Sequence, residues 1–116
     1  MPSSDPKFAH LLVEFSGASE SQLRDATLLS GLLIAAASGA GLTALGAPVV
    51  RQLPNGEMGG VLLLERFHIA AHTVPSNGTL LLDVLAPHAP DTRKVVDVFA
   101  RRLGTATMRV EHETHG

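Results

Sequence analysis

Short apolar runs alternate with polar breaks along the chain, and this pattern predicts a first strand followed by a helix. Residues 8–15 (FAHLLVEF) are apolar and rich in β-formers, which is typical of a strand. Ser19, with a glutamine three residues later, has the form of a helix capping box. From Leu23 to Ala37 the apolar positions follow helical spacing, and the glycine-containing segment 38–41 predicts the end of the helix.

Four further strands are predicted one after another in the middle of the chain. They cover residues 42–53, 60–65, 67–74 and 79–85. Turn signals of proline, asparagine and glycine separate them, and we expect Gly59 and Gly60 to be turn and bulge residues. Because connections this short join antiparallel neighbours, the sheet is expected to be mostly antiparallel.

A second helix and a last strand complete the predicted fold. Pro90 suits a first helical turn, apolar positions mark a buried stripe up to Leu103, and Gly104 is the expected stop. Residues 105–113 alternate as a strand does. The order β-α-β-β-β-β-α-β over residues 1–116 predicts a single α+β domain, a two-layer sandwich with two helices on one face of the sheet.

Composition excludes several classes of function. The 116 residues include no cysteine, which excludes disulfides, thiolate nucleophiles and thiolate metal ligands. A net charge of −2 and the lack of Trp and Tyr argue against nucleic-acid binding. The apolar stretch 28–37 is too short and too interrupted to span a bilayer, and residues 1–7 do not have the pattern of a secretory signal. We therefore expect a cytoplasmic protein that binds neither nucleic acid nor membrane.

Two histidines on the fourth predicted strand are the first candidate functional residues. His68 and His72 face the same side of that strand but stand roughly 13 Å apart, too far to bind one metal ion together. They either make ordinary hydrogen bonds in half-buried positions or line a small-molecule pocket. Asp83 interrupts the apolar strand 79–85, and a charge there needs a partner such as a histidine or an arginine.

Acidic and histidine residues also gather near the end of the sequence. Glu111, Glu113 and His115 would share one face of a strand, with His112 on the other. A metal cluster and a solvated chain end both fit this pattern. We expect the solvated end and no metal site.

Segments in four parts of the chain carry a more specific pattern. Residues 68–75 read HIAAHTVP and are followed by LDV at 82–84; the first strand contains HLLVEF at 10–15, a turn reads LPNG at 53–56, and the last strand contains VEHE at 110–113. Taken in their order along the chain, these segments resemble those of the bacterial and archaeal S-adenosylmethionine decarboxylases. In that family a Glu-Ser-His stretch leads into His-Thr-Trp-Pro-Glu. The resemblance covers residues 8–113. It implies an S-adenosylmethionine decarboxylase-like sandwich, a dimer, and a link to polyamine (spermidine) biosynthesis.

The chemistry of that family depends on an internal serine. The proenzyme cuts itself before this serine, whose skeleton becomes a pyruvoyl group that serves as the electron sink for decarboxylation. Phe67 stands at the matching position here, and residues 62–66 include no Ser, Thr or Cys. Since phenylalanine has no hydroxyl to attack a carbonyl, we predict an unprocessed chain without pyruvoyl and without another cofactor.

Other family positions are also replaced in this sequence. Pro87 stands at about the position of the family's catalytic cysteine, and Met58 or Gly59 stands at that of a processing serine. Val74 and Ser76 replace the tryptophan and the glutamate that follow His-Thr in the family. Gln52 replaces an aromatic residue before the Leu-Pro turn. The polar positions that survive are His10, Glu14, His68, His72, Asp83 and His112. By the resemblance, His72 matches a histidine that assists proton transfer.

Three functions are compatible with these observations. The first is a non-processing relative of the decarboxylases that acts as a binding or regulatory subunit, as a homodimer or beside an active homologue, with a small-molecule ligand. The second is an enzyme with non-pyruvoyl chemistry, in which His72 and His68 are candidate catalytic residues. Its candidate ligand-binding residues are Glu14, Asp83 and His10. The third is a working decarboxylase whose serine the alignment misplaces, although no serine directly precedes a histidine.

Overall fold

Six strands and three helices make up the part of the chain that the computed structural model describes, residues 8–104 and 107–115. In chain order they are β1 Phe8–Ser16, α1 Glu20–Leu23, α2 Ala26–Gly39, β2 Val49–Gln52, β3 Met58–Leu63, β4 His68–Val74, a 3-10 turn Pro75–Asn77, β5 Thr79–Ala86, α3 Ala89–Leu103 and β6 Thr107–His115. The α+β class predicted from the sequence is confirmed.

The six strands form one antiparallel sheet in the order β2-β3-β4-β5-β1-β6. Helix α2 packs over β2 and β3, α3 packs over β1 and β5, and the two helices contact each other. Both therefore cover the same face of the sheet, as the predicted sandwich requires. We call the other side the open face; its outward residues include Leu12, Glu14, Val61, His72, Leu81 and Asp83.

The hydrophobic core lies between the sheet and the helices. Alternation along β1 directs Ala9, Leu11, Val13 and Phe15 into this core and leaves the residues between them on the open face. The ring of Phe15 stacks on that of Phe99 from α3, with 6.5 Å between the ring centroids. The two rings hold α3 against β1.

The first predicted helix is two helices, so the chain has three helices in its described part instead of the two expected. Ser19 caps α1 by accepting a hydrogen bond from the Gln22 N–H, as the capping box predicts. Asp25 then leaves helical geometry and caps α2 by accepting from the Leu28 N–H. A short aspartate side chain competes for backbone donors in this way, which ends one helix and begins the next. No helix of the described residues is long and apolar enough to cross a membrane.

Two predicted strands differ from the structure. The second is confined to β2, because residues 42–48 form a loop that contacts the sheet through a single bridge between Ala44 and Leu64. The prediction for Gly59 and Gly60 as turn and bulge residues is wrong, since both lie inside β3 and pair one to one with residues of β2 and β4. Strand β4 begins at His68, and Phe67 belongs to the preceding turn with φ +77°.

Candidate functional site

The polar residues singled out from the sequence converge on the open face of the sheet. Strands β1, β4 and β5 are neighbours, with β5 in the middle. Alternation places His10 and Glu14 of β1, His68 and His72 of β4, and Asp83 of β5 on that face. All five predicted site residues are thus on one surface, but they form separate groups.

The first group joins two histidines to one carboxylate. His10 and His68 both lie opposite Leu85, on either side of β5. From there their Nε2 atoms reach Oδ1 of Asp83, at 2.7 Å for His10 and 3.3 Å for His68. An ionised carboxylate only accepts hydrogen bonds, so both imidazoles donate through Nε2. The two histidines are therefore the hydrogen-bond partners of Asp83, for which the sequence predicted a histidine or an arginine.

The second group is a histidine and a glutamate that sequence reasoning missed. His72 donates from Nε2 to Oε1 of Glu57 at 2.8 Å. Glu57 is held in the β2–β3 turn, where its carbonyl accepts from the Leu53 N–H at 2.7 Å and its N–H donates to Oδ1 of Asn55 at 3.2 Å. The two side chains are partly exposed, 42% for His72 and 25% for Glu57.

A trough of about 640 Å³ runs across the open face beside these groups. Its lining is mostly apolar and consists of Leu12, Val13, Glu14, Val49, Gly59, Gly60, Val61, Ala70, Ala71, His72, Leu81, Leu82, Asp83 and Arg109. His72 and Asp83 thus border the trough, whereas His10 and His68 stand outside its lining. A shape of this size with an apolar floor and a few polar groups is typical of a small-molecule site.

The two adjacent glycines of β3 have opposite surroundings. A Cβ on Gly60 would lie 3.1 Å from Leu33 and 3.2 Å from Leu29, so this glycine lets α2 approach the sheet closely. A Cβ on Gly59 would meet no atom within 4 Å. Gly59 lies directly opposite His72 in the β3–β4 register. Its missing side chain keeps the trough open beside the imidazole.

Glu14 makes a weaker contact at the edge of the trough. Its Oε1 lies 3.8 Å from a guanidinium nitrogen of Arg109 on β6, and the two side chains are 41% and 75% exposed. An exposed pair at this distance contributes little to stability. Both groups remain accessible to a ligand or a partner.

Phe67 occupies a tight turn at one end of the open face. The Leu64 N–H donates to the Phe67 carbonyl at 3.0 Å, which closes the β3–β4 hairpin. The Phe67 ring packs 5.3 Å from the ring of Phe8, and the Arg66 guanidinium lies 4.8 Å above it. A positive φ is rare for a residue with a large side chain, so the hairpin imposes it.

The C-terminal group considered as a metal cluster lies outside the described side chains. This applies to Glu111, His112, Glu113 and His115, of which the structure describes the backbone pairing with β1 only. Over the side chains that the structure does describe, no group of three His, Cys, Asp or Glu residues is arranged to hold a metal ion.

Comparison with known proteins gives a consistent result. The model of the S-adenosylmethionine decarboxylase family matches residues 9–116. No curated protein matches the chain. The crystal structure of the adenosylmethionine decarboxylase from Aquifex aeolicus is similar with a TM-score of 0.88 and 22% sequence identity, over 97% of this chain and 93% of that one. The structural likeness shows the fold, and because the family model spans nearly the whole sequence, the chain belongs to the S-adenosylmethionine decarboxylase family.

Proposed function

We propose that this member of the family neither cuts itself nor forms a pyruvoyl group, and that it acts as a binding or regulatory subunit through its open face. The observation that carries the proposal is Phe67, which directly precedes His68 and β4. A pyruvoyl group is made from the residue at this position in the family that the chain resembles. Phenylalanine supplies neither the attacking hydroxyl nor the skeleton of the ketone.

The surroundings of Phe67 do not fit a pyruvoyl group. Its ring is packed against Phe8 and Arg66, so the turn is filled by a side chain that is held in place. Met58 or Gly59 stands at the position that aligns with a processing serine, and neither has a hydroxyl. Pro87, which follows β5, has no proton to donate where the family has a cysteine. No step through a pyruvoyl group is therefore part of this function.

The exposed apolar side chains of the open face support a role in docking. Leu12 of β1, Leu81 of β5 and Val61 of β3 all lie on this face, and each is 36% to 43% exposed. Leu63 and Val49 extend this surface toward the β2 edge and are 60% and 50% exposed. A contiguous apolar patch on a sheet face marks an interaction surface. We propose a second copy of the chain as its partner, with an active homologue as the alternative partner.

We expect the purified protein to be one intact chain. Without a hydroxyl or thiol at residue 67 the peptide bond before it has no internal nucleophile, so it should stay uncut. Intact-mass spectrometry should show a single species near 12.1 kDa. Two fragments that meet at the β3–β4 turn, one of them with a carbonyl at its new terminus, would show that the protein processes itself and would contradict the proposal.

The proposed homodimer is tested by its mass in solution. Light scattering at micromolar concentration should give twice the mass of one chain, and Leu81→Glu should reduce it to the monomer because a charge would then be buried in the interface. Ile34→Glu is the matched control. Ile34 is 51% exposed, but it lies on α2, on the opposite side of the molecule. A monomeric wild type would contradict the homodimer, and mixing with an active homologue would then test the alternative partner.

The contact between His72 and Glu57 favours a second candidate function. An enzyme with non-pyruvoyl chemistry needs a base that is oriented by another group, and His72 at the trough wall meets that requirement. The cytoplasmic location, a small-molecule ligand and a role in polyamine biosynthesis stay predictions.

A further inference from the structure

The hydrogen bond to Glu57 determines which nitrogen of His72 can react. A carboxylate accepts only, so Nε2 of His72 carries the hydrogen that bridges the 2.8 Å to Oε1. In the neutral imidazole the lone pair is then on Nδ1. Among the residues that the structure describes, none makes a hydrogen bond to this second nitrogen. A carboxylate that fixes the tautomer of a histidine in this way is the arrangement that activates histidines in hydrolytic sites.

The position of His72 gives this nitrogen access to a bound molecule. His72 lines the trough, its side chain is 42% exposed, and the facing residue Gly59 leaves open space beside it. Leu81, Ala70 and Val61 form an apolar floor nearby. By contrast, His10 and His68 share Asp83 and do not line the trough. The geometry therefore distinguishes His72 from the other two histidines.

We propose that His72 and Glu57 form an acyl-accepting dyad for small apolar esters, with His72 as the nucleophile and Glu57 as the positioning residue. Nδ1 attacks the ester carbonyl carbon, a carbon–nitrogen bond forms, and the carbon–oxygen bond breaks as the leaving alkoxide takes a proton from solvent water. The acyl-imidazolium keeps its Nε2 hydrogen on Glu57. Water then attacks the acyl carbon, the carbon–nitrogen bond breaks with its electron pair returning to Nδ1, and the acid leaves as its proton passes to the solvent. The developing imidazolium is stabilised by the Glu57 carboxylate.

The substrate class follows from the trough. Its floor is apolar, so it suits the hydrocarbon part of an ester rather than a sugar or a phosphate. Its volume of about 640 Å³ suits a small molecule. This inference rests on the second candidate function, the non-pyruvoyl enzyme, and needs neither docking nor the absence of processing.

The probe is p-nitrophenyl acetate, a small apolar ester whose p-nitrophenolate product is coloured. The full chain at neutral pH should release it faster than buffer alone. His72→Gln should lower the protein-dependent rate about tenfold or more, because the nucleophile is gone. Glu57→Gln should lower kcat about tenfold with little change in KM, because the charge that stabilises the imidazolium is lost. Glu57→Asp, which keeps the carboxylate, should retain more activity than Glu57→Gln.

A second pair of variants separates binding from chemistry. Gly59→Leu should fill the trough and raise KM, whereas Gly31→Leu should change nothing. A Cβ on Gly31 also meets no atom within 4 Å, but it lies on α2. His88→Gln, at the exposed start of α3, controls for an ordinary surface histidine.

Each outcome bears on one part of the inference. A His72→Gln variant as fast as the wild type would overturn the site. Equal rates for the wild type and Glu57→Gln would overturn the positioning role, as would equal rates for Glu57→Asp and Glu57→Gln. Circular dichroism checks that every variant is folded. The mass of the chain and its oligomeric state, which test the proposed function, should be the same in Glu57→Gln as in the wild type.

Discussion

Neither the wild-type protein nor its Phe67→Ser variant should release labelled carbon dioxide from carboxyl-labelled S-adenosylmethionine. In the family that the chain belongs to, decarboxylation needs a serine, a processing helper, a proton donor and substrate contacts that act together. Losses of parts that act as a unit are strongly non-additive, so returning one part recovers little. Here Met58 or Gly59 still stands where the helper is expected, and Pro87 stands where the donor is expected. The assay runs both proteins beside an active decarboxylase as the positive control.

Phe67→Ser should also be less stable than the wild type. The Phe67 ring packs against Phe8 and under Arg66, and serine makes neither contact. We expect a loss of about 1 kcal/mol in the free energy of unfolding, less than the value of fully burying an aromatic side chain, because Phe67 is only partly buried. A φ of +77° is unfavourable for serine as it is for phenylalanine, so the substitution does not relieve backbone strain in the turn. Urea denaturation measures the difference.

Turnover in either protein would change the interpretation in a different way. Release of carbon dioxide by the wild type would mean that another residue supplies the electron sink, and the proposal about Phe67 would be wrong. Release by Phe67→Ser alone would mean that the remaining site is still built for decarboxylation and that the serine was its one missing part. Intact-mass spectrometry of the variant shows whether its chain is cut at residue 67.

The elements that depend on local pattern were predictable from the sequence. Short apolar runs between turn signals identified β1, β4 and β5, and the helix start and stop signals identified both ends of α3. The convergence of His10, His68 and Asp83 also has a visible origin. A buried strand with a single charge needs a partner from an adjacent strand, and histidines on both neighbours supply it.

Features set by tertiary contacts were not predictable in the same way. Glu57 sits in a polar turn where a glutamate is ordinary, and only the β3–β4 register brings it to His72. The loop 42–48 is as apolar as a strand, but it has a single bridge to the sheet. Gly59 and Gly60 are adjacent glycines that the local sequence does not distinguish. Gly59 leaves open space in the trough, whereas Gly60 allows α2 to pack closely on the sheet. These differences arise from packing partners that are distant in sequence.

The two residues of the His-Thr pair in the motif at 68–75, His72 and Thr73, lie on opposite faces of the sheet. His72 points to the open face, and Thr73, the next residue of β4, points into the core, where it is 1% exposed. The Thr73 hydroxyl donates to the Leu23 carbonyl at 2.9 Å and accepts from the Met58 N–H at 3.1 Å. It therefore connects α1, β4 and the start of β3, the strand that follows Glu57.

Thr73→Val should destabilise the protein by about 2 kcal/mol, because it has the same shape as threonine but leaves the Leu23 carbonyl without its hydroxyl donor and removes the hydroxyl that accepts from the Met58 N–H. Thr73→Ser is the control, since it keeps the hydroxyl and should cost about 1 kcal/mol for the lost methyl group. Urea denaturation of both variants gives the comparison through the transition midpoint at constant slope. If valine were tolerated as well as serine, the hydroxyl would have no structural role. If only Thr73→Val lowers the free energy of unfolding, the Thr73 hydroxyl stabilises the strand that carries His72.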